Sequence, residues 1–271
     1  MVESRSRTSA NVVKVSKDLV FKHLEKNSFL KKAYEELIND AEVKALLHMS
    51  NVMAVKRLKY NDHGPVHANI VAGVALELLE RLLQHDVVPN SIKDGVVDNL
   101  DYVRLIVLYG ALLHDIGNAV HRDMHERIGA LLAKDILDRI LSRLIKDRSL
   151  AYLIRQEILH AIYATAYDVR CLSVEAGIVK IADGLDMAEG RARIPYKLGK
   201  MDIHALSALS IKSVEIGEGV KRPIAIRVFM NDSSGVFQVE YVFLPKLRTS
   251  GLEHYFEVYI ATPLGEHRLY P

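Results

Sequence analysis

Residues 109–117 read YGALLHDIG, a run of apolar and small residues that closes on His114-Asp115 and meets Gly117, which can turn the chain at once. Val107, Gly110 and Ala111 precede His114 by seven, four and three residues, so the histidine lies on the face of a helix turned toward a core. The doublet alone is a weak signal. With 12 His in 271 residues, chance supplies roughly 0.75 His-Asp pairs. A second pair, His85-Asp86, ends a helix before VVPN, where a C-terminal histidine and a turn-forming aspartate have ordinary roles. What flanks the first doublet decides the fold.

Upstream, helical spacing of apolar residues covers 16–27, 28–39 and 41–60, with Ser16 as N-cap, and stops at NDHGP, residues 61–65. Pro65 suits the first turn of a helix over 65–84, and a loop through Pro89 and Gly95 leads into the doublet's own helix, 99–115. Further helices are predicted at 123–147, 149–164 and 174–189, the last capped by Ser173. From Ile211 the pattern changes to alternation: IKSVEI, PIAIRVFM, VFQVEYVFL and HYFEVYIA, separated by NDSSG and RTSG, read as strands. The expectation is a mainly α fold in three parts. Residues 1–15 form a frayed tail, 16–205 an all-helical bundle, and 206–271 a small antiparallel β domain.

Composition narrows the function. The chain has 36 Lys plus Arg against 34 Asp plus Glu, too balanced for an extended nucleic-acid partner but compatible with a small anion in a local basic pocket. One cysteine excludes an internal disulfide and a thiolate metal cluster. No apolar run of membrane-spanning length or signal peptide is seen, so a cytoplasmic protein without a membrane partner is expected.

The remaining signal is polar groups on apolar faces, which are costly unless satisfied. His67 shares a face with Ile70, Val71, Val74 and Leu78. His125 shares one with Ile128, Gly129, Leu132 and Ile136, His160 lies in line with Leu153 and Ala164, and Asp183 with Ala176, Val179 and Met187. With His114, five ligand-type side chains project inward from five helices. A single inward histidine is commonly a satisfied core residue; five converge as a cation site does in helical bundles. The i, i+4 pairs His63/His67 and His121/His125 lack the Glu of a zincin protease, since Gly64 and Arg122 stand in its place. No GxSxG elbow, GxxxxGK[ST] loop or GxGxxG fingerprint occurs, and Cys171 reads as a structural or incidental thiol.

These residues resemble the HD-domain metal-dependent phosphohydrolase superfamily, in its H…HD…H…H…D variant. His67 in HGPVHANIVA, His114-Asp115 in LLHDIG and Asp183 in VKIADGLD match the pattern. His125 in HERIGALLA and His160 in EILHAIYAT resemble the added histidines of HD-GYP cyclic dinucleotide phosphodiesterases and of symmetrical diadenosine tetraphosphate hydrolases. The likeness spans about 60–195. It departs in lacking the GYP signature, in having Ala161 after His160, and in the C-terminal sheet.

The resemblance implies one or two divalent ions (Mn, Fe, Co, Ni or Zn, with Mg also admitted) held by His67, His114, Asp115, His125, His160 and Asp183. Asp115 would bridge the ions, and Asp183 would act as base toward water or as ligand alone. The substrate implied is a nucleotide or another small phosphorylated molecule. His63 is assigned to phosphate, to an extra metal ion or to helix capping, Arg122, Arg191 and Arg193 to phosphate or to a solvated surface, and His121 stays between a supporting role and the surface. Two other readings compete: an HD-type di-iron oxygenase with the same six ligands, and a non-catalytic metal- or nucleotide-binding scaffold or sensor. A homodimer through the C-terminal sheet is a further expectation.

Overall fold

The computed structural model describes residues 12–188 and 203–270. Its centre is α6 (Leu100–Leu113), whose residues Leu105 to Leu113 are all buried. A helix apolar on every side must be enclosed. Here α2 (Ser28–Ile38), α4 (Pro65–Gln84), α8 (Arg148–Tyr163) and α9 (Val174–Leu185) surround it. Outside these, α1 (Leu19–Leu24) packs on α4, and α7 (His125–Leu144) on α8. The doublet's helix is thus the axis of the bundle, and its C-terminus is delivered into the interior.

Side-chain caps set several starts. Asn27, Asp40, Asn99 and Asp147 accept backbone N–H bonds at the heads of α2, α3 (Ala41–Asn51), α6 and α8. Ser173 caps α9 as its sequence suggests, and Pro65 opens α4. The predicted helix 41–60 ends as α3 at Asn51 and continues as a π turn over Val52–Arg57. A short α5 (Asn90–Lys93) interrupts the loop before α6. His85 ends α4 and Asp86 adopts φ 59°, the turn role expected of the second doublet.

The five-stranded sheet runs in the order β1 (Val13–Lys14), β2 (Ile211–Glu218), β3 (Ile224–Met230), β4 (Phe256–Thr262), β5 (Gly265–Tyr270), with α10 (Ile203–Ser210) leading into β2. It is mixed, not antiparallel: Ile224 pairs with Phe256 and Val228 with Ile260 in a parallel ladder. Parallel neighbours require the chain to cross back along the sheet, and such crossovers are usually helical. The run VFQVEYVFL, expected as a strand, supplies that crossover as a π turn (Gln238–Phe243) and α11 (Leu244–Thr249). Val239 and Phe243 of the run and Leu247 beyond it are fully buried and four apart, so the alternating stretch also carries a helical spacing and the connection selects the helix. The expected tail is also corrected in part. Val13 and Lys14 pair with Ile216 and Glu215, and the Val15 N–H donates to Val214 O, because the edge of β2 offers unpaired backbone groups.

Glu257 of β4 is fully buried and accepts N–H bonds from Val220, Lys221 and Arg222 and the Tyr259 hydroxyl. Burial pushes its carboxyl up, but these bonds outweigh it and hold it at about 2, against an ordinary 4.5. A folded-state pKa below the unfolded one contributes stability above pH 4.5 that is lost as pH falls toward 2. Urea unfolding at pH 6 and pH 3 should show a loss in the wild type that exceeds the loss in Glu257→Gln by about 2 kcal/mol. An unchanged pH slope in that variant would contradict this account.

Candidate metal centre

Four side chains converge below the end of α6. His67 projects from the first turns of α4, His114 and Asp115 follow α6, and Asp183 comes from the last turn of α9. His67 Nε2 stands 3.1 Å from His114 Nε2, 3.4 Å from Asp115 Oδ2 and 3.3 Å from Asp183 Oδ1. His114 Nε2 is 3.5 and 3.6 Å from the same two oxygens. His67, His114 and Asp115 are buried.

The protons lie on the far side of both rings. His67 Nδ1–H donates to Asp186 Oδ2 at 2.7 Å, and His114 Nδ1–H donates to the Ala111 carbonyl at 2.7 Å. In the neutral rings these bonds leave both Nε2 atoms as lone-pair acceptors. Two imidazole lone pairs and two carboxylate oxygens then face one another with no proton between them. A bound cation satisfies such a set. The spacings suit one too, since metal bonds of 2.0–2.2 Å put adjacent ligands roughly 3.0–3.5 Å apart. The N/O donor set suits Mn, Fe, Co, Ni or Zn.

Both carboxylates are held ionised. Burial pushes Asp115 up, but positive charge on the rings of His114 and His63, with the hydrogen bond from His63, keeps it well below the usual carboxylate range. Burial acts likewise on Asp183, and the Lys246 ammonium outweighs it first, then His114 and His67. Asp115 is further fixed by Asn118, whose Nδ2 donates to its Oδ1 at 2.9 Å and its carbonyl at 3.0 Å.

The other predicted residues divide. His63 is at the centre: its Nδ1 lies 2.6 Å from Asp115 Oδ2, and His63, His67 and Asp115 form a second group able to hold an ion. His125 Nε2 lies 3.3 Å from Asp115 Oδ1, but it accepts from Arg122 Nη1 at 3.1 Å, while its Nδ1 donates to the Arg122 carbonyl at 2.9 Å. Arg122 thus lies in the site, tied also to Asn118 Oδ1 at 3.1 Å. His121 is exposed. Arg191 and Arg193 lie outside the described residues.

His160 is not brought to the others. Its Nε2 accepts the Leu172 N–H at 3.1 Å, and it lines no part of the cleft over the centre. The face assigned to it rested on Leu153 and Ala164; Ala164 is buried, but Leu153 is 49% exposed, and α8 turns Ala151, Ile154, Ile158, Ala161 and Ile162 to the core. An exposed leucine carries little information about which way a helix faces. The six-ligand arrangement on which the di-iron oxygenase reading depends is therefore not assembled among the described residues. Cys171 is buried, and burial pushes its thiol up to about 11, so it is no nucleophile.

Three contributors escaped the sequence. Asp186, which orients His67, follows Asp183 by three residues in ADGLD, a spacing that could have flagged it. Asn118 could have been suspected from its place in the turn after the doublet. Lys246, paired with Asp183 Oδ2 and 4.8 Å from the Tyr167 ring centre, comes from α11 and had no local signal.

A cleft of about 570 Å³ opens above the centre, lined by Asp115, Arg122, His125, Asp183 and Lys246 among others, with Tyr60, Tyr167 and Tyr241 at its wall. No described helix is long and apolar enough to cross a membrane. The model of the HD domain family matches residues 67–188, which include all four converging side chains. Over 229 residues the chain is 45% identical to a Methanocaldococcus jannaschii protein named Uncharacterized protein MJ1020, covering 84% of this chain and 88% of that one. No solved structure gives a significant match.

Proposed function

The chain belongs to the HD domain family, and on that premise we propose that it is a metal-dependent phosphohydrolase acting on a nucleotide or another small phosphorylated molecule. The observation that carries this reading is the set of four acceptor atoms from His67, His114, Asp115 and Asp183 at the floor of a cleft that also holds Arg122 and Lys246. Acceptors at the floor call for a divalent ion; cations beside it suit a phosphoryl group.

A bound divalent ion supplies Lewis acidity and makes water a nucleophile near neutral pH. The chain's own residues do the rest. Asp186 fixes the ring of His67, and the Ala111 carbonyl fixes that of His114, so both rings present unprotonated Nε2 atoms. Asp183 serves as ligand, since Lys246 engages one oxygen and the other faces the imidazoles. His63, held by Asp115 at the cleft wall, is the group placed to exchange a proton with the reacting species, with Asp115 stabilising its protonated form. Arg122 offers a guanidinium to phosphate. The volume is that of a nucleotide-sized ligand, and the tyrosines of the wall offer faces for a planar base.

Elemental analysis of freshly purified protein, followed by a phosphate-release screen over nucleotides, dinucleotides and sugar phosphates with Mn, Co, Ni and Mg, tests the reading. Bound divalent ion and metal-dependent release of phosphate are expected. His160→Ala should keep both within about threefold, because its ring is engaged elsewhere. A metal-loaded protein that releases phosphate from none of these esters would contradict the proposal.

A further inference from the structure

Lys246 lies beyond the segment that matches the HD domain family, on the crossover helix of the C-terminal sheet, yet it stands at the metal centre. Its Nζ pairs with Asp183 Oδ2, and Asp183 Oδ1 faces His67 and His114. A single carboxylate therefore separates the ammonium from the four-donor cluster. The side chain is only 8% exposed, and what remains open faces the cleft.

This placement is built in. Gly177 and Gly184 lie seven residues apart on one face of α9, and the crossover sits directly on them. A Cβ on Gly177 would meet the Ser250 carbonyl at 2.5 Å, and one on Gly184 the Phe243 ring at 3.0 Å. The buried Lys180 of α9 donates to Thr249 Oγ1 at 2.7 Å, pinning the end of α11. The C-terminal unit is thus seated on the helix that carries Asp183 at a height that brings Lys246 to its carboxylate.

An ammonium has three N–H donors. Asp183 takes one, and the Tyr167 ring offers a π face, which attracts the charge but accepts no second strong bond. Asp115, Asp183, Asp186 and Glu126 all line the same cleft, so an entering anion needs cationic donors near at hand. Arg122 is already engaged by Asn118 and His125.

We propose that Lys246 is a phosphoryl-binding residue of this site: its ammonium holds Asp183 through Oδ2 and donates a further N–H to a non-bridging oxygen of the substrate phosphate. The C-terminal sheet then has a function, since its crossover adds a second cation to a cleft in which the helical bundle supplies Arg122. The inference rests on the phosphohydrolase reading above.

The test uses full-length protein loaded with the divalent ion it purifies with and inorganic phosphate as the probe, titrated calorimetrically, together with metal content and the KM of any ester the wild type hydrolyses. Lys246→Met is expected to retain bound metal at saturating ion, to bind phosphate at least tenfold more weakly and to raise KM by a similar factor. Lys246→Gln keeps an N–H for Asp183 and serves where the methionine variant fails to fold; the same tenfold loss is expected. Lys246→Arg, which keeps a cation, should bind phosphate within about threefold of wild type. Wild-type phosphate affinity in metal-loaded Met or Gln variants overturns the inference alone, showing that Lys246 only positions Asp183. Failure of the wild type itself to bind phosphate overturns the hydrolase reading, and this inference with it.

Discussion

Asp115→Ala is expected to leave the purified protein without its divalent ion and to lower phosphate release at least a thousandfold. Asp115 is the most shared group of the centre. Its Oδ2 faces His63, His67 and His114, and its Oδ1 faces Asn118 and His125. Removing a group that merely supports a ligand costs roughly 10–100-fold in metal affinity or activity, and removal of a ligand itself should exceed that. Alanine also leaves two imidazole lone pairs facing a single carboxylate. The fold should survive, because the apolar core of α6 ends at Leu113 and does not depend on the carboxylate. Elemental analysis beside a thermal melt separates the two effects, and a folded variant with wild-type metal content would falsify the assignment of Asp115 as a ligand.

The largest effect on stability is expected from Gly117→Ala. A Cβ there would lie 1.9 Å from the His125 carbonyl oxygen and 2.6 Å from the Gly129 nitrogen. Both are backbone atoms in the first turns of α7, so no side chain can rotate away. The 3-10 turn Ile116–Ala119 would have to separate from α7, carrying the doublet away from His125. Overpacking typically costs 1–3 kcal/mol, and a backbone clash this close should exceed about 3 kcal/mol. In a chain of this size that lowers the melting temperature by roughly 6–12 °C. Gly95→Ala is the control: Gly95 has φ 70° but nothing within 4 Å of an added Cβ, so only the backbone cost of about 1 kcal/mol applies. A Gly117 variant as stable as this control would show that the turn and α7 part without penalty.

The helical half was legible because its signals are local. Ser173 acts on the N–H group three residues ahead and Pro65 on its own φ, so a reader of the sequence needs no distant partner for either, although α1 begins after Asp18 and not at Ser16. His67, His114 and Asp183 were legible for a related reason. Each shares its helix face with apolar or small neighbours one turn away, Ile70 and Val71 for His67, Gly110 and Ala111 for His114, Val179 and Met187 for Asp183, and burial of that face carries the polar group inward.

The same rule failed at His160, where one of the two neighbours used to orient the helix, Leu153, is exposed although the other, Ala164, is buried. It failed again at VFQVEYVFL, whose apolar residues fit periods of two and of four equally. There the parallel pairing of β3 with β4, formed by residues on either side, required a crossover and settled the question.

By itself, then, the sequence determined a mainly helical chain, the helix that ends in His114-Asp115, and the inward placement of His67, His114 and Asp183, within a set that also counted His125 and His160. Each depends on spacing within one element or on a cap beside it. Only the tertiary structure decided that His63 joins Asp115, that Asp186 sets the tautomer of His67, that His160 stands apart, and that Lys246 reaches the centre from a sheet crossover. These depend on how separate elements approach one another, and that approach is set by close contacts such as Gly117 on α7 and α11 on Gly177 and Gly184. No single element carries that information, because packing fixes positions between elements while periodicity fixes only directions within them.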